Sequence, residues 1–162
     1  QDSIRELELF MKYNPTHELY AYAMYLRGLC FLKQVGKISR SQQETVRAKS
    51  IFIELIQKFP DSDYAKEANK MLMKLDNSLS AHEMAVAKHY QFEQKNPNAA
   101  LGRYSVVVST FSHTNQVAEA LYRMIECYLK LGLIVQAQNI HKEINRLFKD
   151  NKWTKKANEI MK

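Results

Sequence analysis

The residues of this chain that come nearest to catalytic chemistry are the histidines of HEMAVAKH, His82 to His89. A zinc hydrolase needs two histidines at i and i+4 on one helix face with a glutamate between them, and here the i+4 position is Val86. His82 and His89 share a helical stripe but lie about 10 Å apart along the axis. One zinc ion, with bonds of about 2 Å, does not reach both. The stripe reads either as a partner contact or as an ordinary solvated face. No GxSxG, P-loop or GxGxxG occurs, no carboxylate pair stands out from the helical charge pattern, and only 4 glycines are present from which to build a phosphate-cradling loop. No catalytic residue, metal or cofactor is assigned, and an enzyme is not expected.

Two arginines and two cysteines remain. YLRGL places Arg27 inside an apolar helical run, where the guanidinium must find a carboxylate or reach solvent along its own stem; an intramolecular ion pair is the preferred reading. LGRYSVVV sets Arg103 beside Tyr104 on a later helix, and taken alone it is a surface arginine. Cys30 and Cys127 sit in separate apolar helical runs without metal-ligand spacing, and are expected to be free thiols out of disulfide reach.

These residues must be positioned by helices. With 162 residues, 4 Gly and 3 Pro, the chain has one core's worth of material and too few turn formers for a sheet protein. Every apolar pattern runs at the helical period. The net charge of +7 suits an anionic partner, but lysine and arginine are interspersed with glutamate along the helices, which marks solvated faces rather than a nucleic-acid tract. No run is long and apolar enough for a membrane span.

The spacing predicts helices over 4–13, 18–35, 42–59, 63–94, 98–111, 116–131, 134–148 and 153–161. Pro15, Pro60 and Pro97 punctuate them. Capping-box patterns at Ser3/Glu6 and Ser41/Glu44, with Thr16 and Asp61-Ser62, mark starts; a Ser80/Glu83 pattern after Asp76-Asn77-Ser78 marks a possible break in the long helix.

The helices pair into repeats of tetratricopeptide type. Leu121, Tyr128, Gly132 and Ala137 keep the signature spacing, with Ile125 and His141 as departures. Ala48, Phe52, Leu55 and Pro60 match its second half, and Met24, Gly28 and Phe31 its first, separated by a polar insertion at 36–43. A weaker copy uses Ala87, Tyr90, Ala100, Tyr104 and Val107. The expected fold is an all-α, tetratricopeptide-repeat-like superhelical stack of antiparallel helix pairs: the second helix of a truncated repeat at 1–15, a repeat at 16–60, a repeat with a long first helix at 61–112, and a last repeat plus terminal helix at 113–162. The first helix of each pair lines the inner groove, which makes Tyr22, Tyr25, Lys33, Tyr122, Glu126 and Lys130 groove candidates.

In content and order, YNPTHELYAYAMYLRGLCF, AKSIFIELIQKFPDSDYAKEA, HEMAVAKHYQFEQKNPNAALGRYSVVVSTF and EALYRMIECYLKLGL resemble the outer-membrane assembly lipoproteins of the β-barrel assembly machine, also called the competence lipoprotein family. The resemblance covers nearly the whole chain. It implies a non-catalytic scaffold at the periplasmic face of the outer membrane, with the lipid-bearing cysteine and earlier repeats upstream of Gln1. Its implied partners are the barrel-forming subunit through a POTRA domain, smaller assembly lipoproteins and unfolded outer-membrane proteins, with no nucleic acid. Arg103 matches the family's arginine that meets a POTRA carboxylate; His82, His89, Tyr104, Arg123 and Glu126 are the accompanying partner-binding candidates. The competing readings are a cytoplasmic adaptor that binds peptide tails in its groove and a nucleic-acid-binding helical array.

Overall fold

Proline at position 60 removes a backbone donor and turns Phe59 out of helical conformation, so one helix ends and another begins within a few residues. Ser62 makes the restart possible: its hydroxyl donates to the Phe59 carbonyl (2.9 Å) and accepts from the Ala65 amide (3.1 Å). The same punctuation recurs along the computed structural model, which describes residues 2–34 and 41–162. Its elements are α1 (Asp2–Tyr13), α2 (Tyr20–Gln34), α3 (Ser41–Lys58), α4 (Asp63–Lys88), a π-helical turn (His89–Glu93), α5 (Pro97–Thr110), α6 (Val117–Lys130), α7 (Ile134–Leu147) and α8 (Lys152–Ile160). Among the described residues there is no strand. The fold is all-α and tetratricopeptide-like, built of helix pairs packed on their chain neighbours.

Two compact units divide the chain at Leu75/Asp76, inside α4. In the first, α2 packs between α1 and α3, and its core is Met24, Phe31, Ala48, Phe52, Leu55 and Ala68. Gly28 is buried directly against the Phe52 ring, and a Cβ there would run into it. The fully buried Phe52 therefore owes its seat, worth about 2 to 3 kcal/mol of apolar transfer, to the missing side chain opposite. In the second unit, α5, α6 and α7 pack in series and α8 closes against α6 and α7. Its core joins Ala87, Ala100, Tyr104, Val107 and Ala120 to Leu121, Ile125, Ala137, Ile144 and Ala157. Alanines at the crossings let the helix axes approach, and the larger side chains fill the remaining space.

Several expected caps are replaced. Ser3 lies within α1 rather than ahead of it. Thr16 does not cap α2; the Leu19 amide donates to His17 Nδ1 instead (3.0 Å). The break expected near Asp76-Asn77-Ser78 does not occur; Asp76 and Asn77 are engaged by the α5–α6 turn, where His113 Nε2 lies 2.9 Å from Asp76 and the Asn115 amide donates to Asn77 Oδ1 (3.3 Å). Ser80 is buried and donates to the Asn77 carbonyl (3.1 Å), so it is no start signal. The helix expected to run to Gln94 stays α-helical only to Lys88 and then widens into the π turn. Residues 36–40 of the polar insertion, Val35, and the side chain of Ser41 in its capping pattern lie outside the described residues.

Candidate functional site

A π turn inserts one residue beyond the α-helical count and rotates the chain beyond it, so neighbouring side chains leave on unexpected faces. Here Gln91 turns into the core while Phe92 points outward, 49% exposed. Asn96 then caps α5, its Oδ1 accepting from the Ala99 amide (3.1 Å), with Pro97 in the first turn. This delivers the wholly buried Tyr104 to Gln91. The Tyr104 hydroxyl donates to Gln91 Oε1 (2.7 Å), and Gln91 Nε2 donates to Glu126 Oε2 (3.0 Å) on α6. Tyr104, a partner-binding candidate by sequence, is thus a core residue that supports the surface from beneath and cannot itself touch a partner.

Arg123 completes the network. Its Nη1 donates to Glu126 Oε2 (2.9 Å), and its Nε stands 3.6 Å from Glu119, within ion-pair range but too far for a hydrogen bond, leaving that nitrogen without a hydrogen-bond partner. Lys88 binds the same Glu119 carboxylate from α4 (2.7 Å). The guanidinium carbon sits 5.2 to 5.4 Å from the ring centres of Phe92, Tyr122 and Trp153. Burial opposes the charge of Arg123, but the hydrogen bond to Glu126 and the fields of Glu126 and Glu119 outweigh it, so its pKa is raised. Burial, then the hydrogen bond to Glu126, pushes the Tyr122 phenol up to about 12.

Arg103 stands on α5 with its side chain 46% exposed and donates to Glu83 Oε2 on α4 (3.1 Å). His82, beside Glu83, is exposed; so is His89, whose Nε2 lies 3.2 Å from Gln94 Nε2. Of the sequence-derived candidates, Arg123 and Glu126 are joined directly, and Arg103 pairs with a residue adjacent to His82. In the first unit Tyr22 and Tyr25 converge on Tyr64, with ring centres 5.0 and 6.1 Å away, and Lys33 is exposed. Tyr122 is buried under Trp153, so it lines no open groove; Lys130 remains exposed. Arg27 forms the expected internal ion pair, to Glu8 of α1 at 2.9 Å. Cys30 and Cys127 are both free.

Phe92, Gln91 and Trp153 were not singled out by the sequence. Their grouping depends on the π turn and on a helix some 30 residues downstream of Arg123, and neither leaves a local periodic signal.

Paired helices that bury small residues at their crossings and display charged and aromatic side chains along their faces define a helical-repeat protein with a surface, rather than a cleft, to offer. Residues 1–144 match the YfiO family of outer membrane lipoproteins, and the chain belongs to that family, which places it at the outer membrane. It is 28% identical over 162 residues to an outer membrane protein assembly factor BamD of Rickettsia prowazekii, covering 100% of this chain and 64% of the relative. BamD of Caulobacter vibrioides is 27% identical over 94% of this chain and 50% of the relative, and BamD of Neisseria meningitidis serogroup A is 31% identical over 80% and 52%. The chain therefore spans between 50% and 64% of the length of these curated relatives.

Proposed function

We propose that this chain is part of a non-catalytic scaffold subunit of the outer-membrane β-barrel assembly machinery, which binds the POTRA region of the barrel-forming subunit and helps insert outer-membrane proteins. Relatives named as outer membrane protein assembly factors support the process, and the match over residues 1–144 favours it over a cytoplasmic adaptor. In this reading the protein lies at the periplasmic face of the outer membrane, held by a lipid on a cysteine upstream of Gln1. Smaller assembly lipoproteins and unfolded outer-membrane proteins are its further partners.

The observation that carries the POTRA contact is Arg103: half-exposed, and held through Nη1 by Glu83 at 3.1 Å. A planar guanidinium fixed on one side by a carboxylate presents a second fork to another carboxylate. The exposed His82 and His89, and the Arg123–Glu126 pair, are the proposed accompanying contacts.

The test is the affinity of Arg103→Glu for the isolated POTRA domain. Because the site is partly hydrated, the expected loss is about 2 kcal/mol, the low end for a charged interface contact. Circular dichroism on the same sample should keep its helical signal, since the lost Glu83 pair is a solvent-exposed one of about 1 kcal/mol or less. Unaltered affinity removes Arg103 from the interface; lost helicity makes it a structural residue.

A further inference from the structure

The cationic charge of this chain is concentrated at one end. Residues 142–162 hold seven basic and three acidic side chains, a net of +4 within a chain of +7. Elsewhere four lysines are neutralised in place, in Lys58–Glu54, Lys66–Asp63, Lys70–Glu67 and Lys88–Glu119. On α8 the lysines are not. Among the described residues, Lys152, Lys155 and Lys156 form no ion pair, although Glu159 lies one turn further along the same stripe. The opposite side of α8 is fixed to the body by buried Thr154 and Ala157, so these three lysines form its solvent face, extended by Lys149 before the helix and Lys162 after it. Lys152 and Lys156 lie over the Trp153 ring, 5.1 and 4.8 Å from its centre, which holds the ammonium groups together despite their mutual repulsion.

We propose that this face of α8 docks electrostatically on an anionic phospholipid surface, as a contact separate from any lipid anchor. Two observations favour lipid headgroups over a protein carboxylate. Every basic group from 149 to 162 is a lysine, a hydrated point charge on a flexible stem that suits a fluid array of phosphates, whereas shape-specific protein contacts favour the arginine fork. The family is also one of outer membrane lipoproteins, so such a surface lies within reach. The contact is peripheral: no described helix is long and apolar enough to cross a membrane, and the Trp153 ring is already occupied by Tyr122 and Arg123.

The experiment is co-sedimentation of the chain, carrying no lipid, with vesicles of phosphatidylethanolamine and phosphatidylglycerol and, in parallel, of phosphatidylcholine alone. Binding is expected only to the anionic vesicles and should weaken as salt rises. The triple variant Lys152→Gln, Lys155→Gln, Lys156→Gln should bind about 100-fold less, from roughly fivefold per neutralised lysine near an anionic surface. Amide hydrogen exchange within α8 verifies that the helix stays folded in the variant. Equal binding to both vesicle types, or full retention in the variant, overturns the proposal. So does absence of vesicle binding, and lost affinity of the variant for the barrel-forming subunit would then reassign the face to an acidic protein surface. Arg103→Glu should leave vesicle binding unchanged, so failure here and failure of the POTRA reading are separable.

Discussion

Arg123 keeps its charge in a half-buried position because two carboxylates and three aromatic faces replace the water it has lost. Removing it takes away the charged partner of Glu126, whose carboxylate then keeps only the neutral Gln91 amide and Tyr122 phenol. Arg123→Met should destabilise the protein by about 1 to 3 kcal/mol in denaturant titration, and adding Glu126→Gln should recover part of that loss, since the stranded charge is gone. At Cys127, burial pushes the thiol from 9.0 up to about 11. The folded protein thus holds that proton more tightly than the unfolded chain. This stabilisation is complete below about pH 9 and is lost as pH rises through about 11; Tyr122, raised from 10.0 to about 12, acts in the same direction. Thermal stability is therefore expected to decline steadily above about pH 9. At neutral pH a thiol reagent should label half-buried Cys30 ahead of buried Cys127; equal rates would show that α6 opens readily.

Helices were legible because proline, glycine and apolar spacing act locally. Pro60 and Ser62 fix one turn, and Gly132, with φ of 73°, takes the left-handed conformation that ends α6. Cap patterns failed where a distant group competed for the same side chain, as where the α5–α6 turn engages Asp76 and Asn77 and α4 runs unbroken. The candidate site was legible residue by residue but not as an assembly. Arg103, Arg123 and Glu126 were named as partner-binding candidates through the family resemblance, whereas Phe92 reaches Arg123 only through the π turn, and Tyr104 is core. The short α8 shows how tertiary context sustains an element: nine residues are too few for a helix to persist alone. Asn151 Oδ1 accepts from the Trp153 amide (2.9 Å), and the Thr154 hydroxyl donates to the Phe148 carbonyl (2.6 Å). Asn151→Ala should cost about 1 kcal/mol and speed amide exchange within α8. Unchanged exchange there would mean that packing on α6 and α7 suffices.

At the scale of the whole chain, helices pack on near neighbours in sequence, the first unit through α1, α2 and α3 and the second through α5 to α8. Stability in such an architecture is approximately a sum of local interfaces, so damage should stay near its origin. Gly28 offers a sharp test, because the clash that a methyl group would make is confined to the Phe52 ring in the middle of the first core. Overpacking of this kind typically costs about 1 to 3 kcal/mol, and Phe52 is fully buried, so its ring cannot shift without displacing core neighbours. Hydrogen exchange of Gly28→Ala should therefore show lost amide protection through α2 and α3, while α6 and α7, with their own core of Leu121, Ile125, Ala137 and Ile144, keep theirs. Equal loss in both units would mean that the chain unfolds only as a whole, and that α4, continuous across Leu75 and Asp76, transmits the damage rather than confining it.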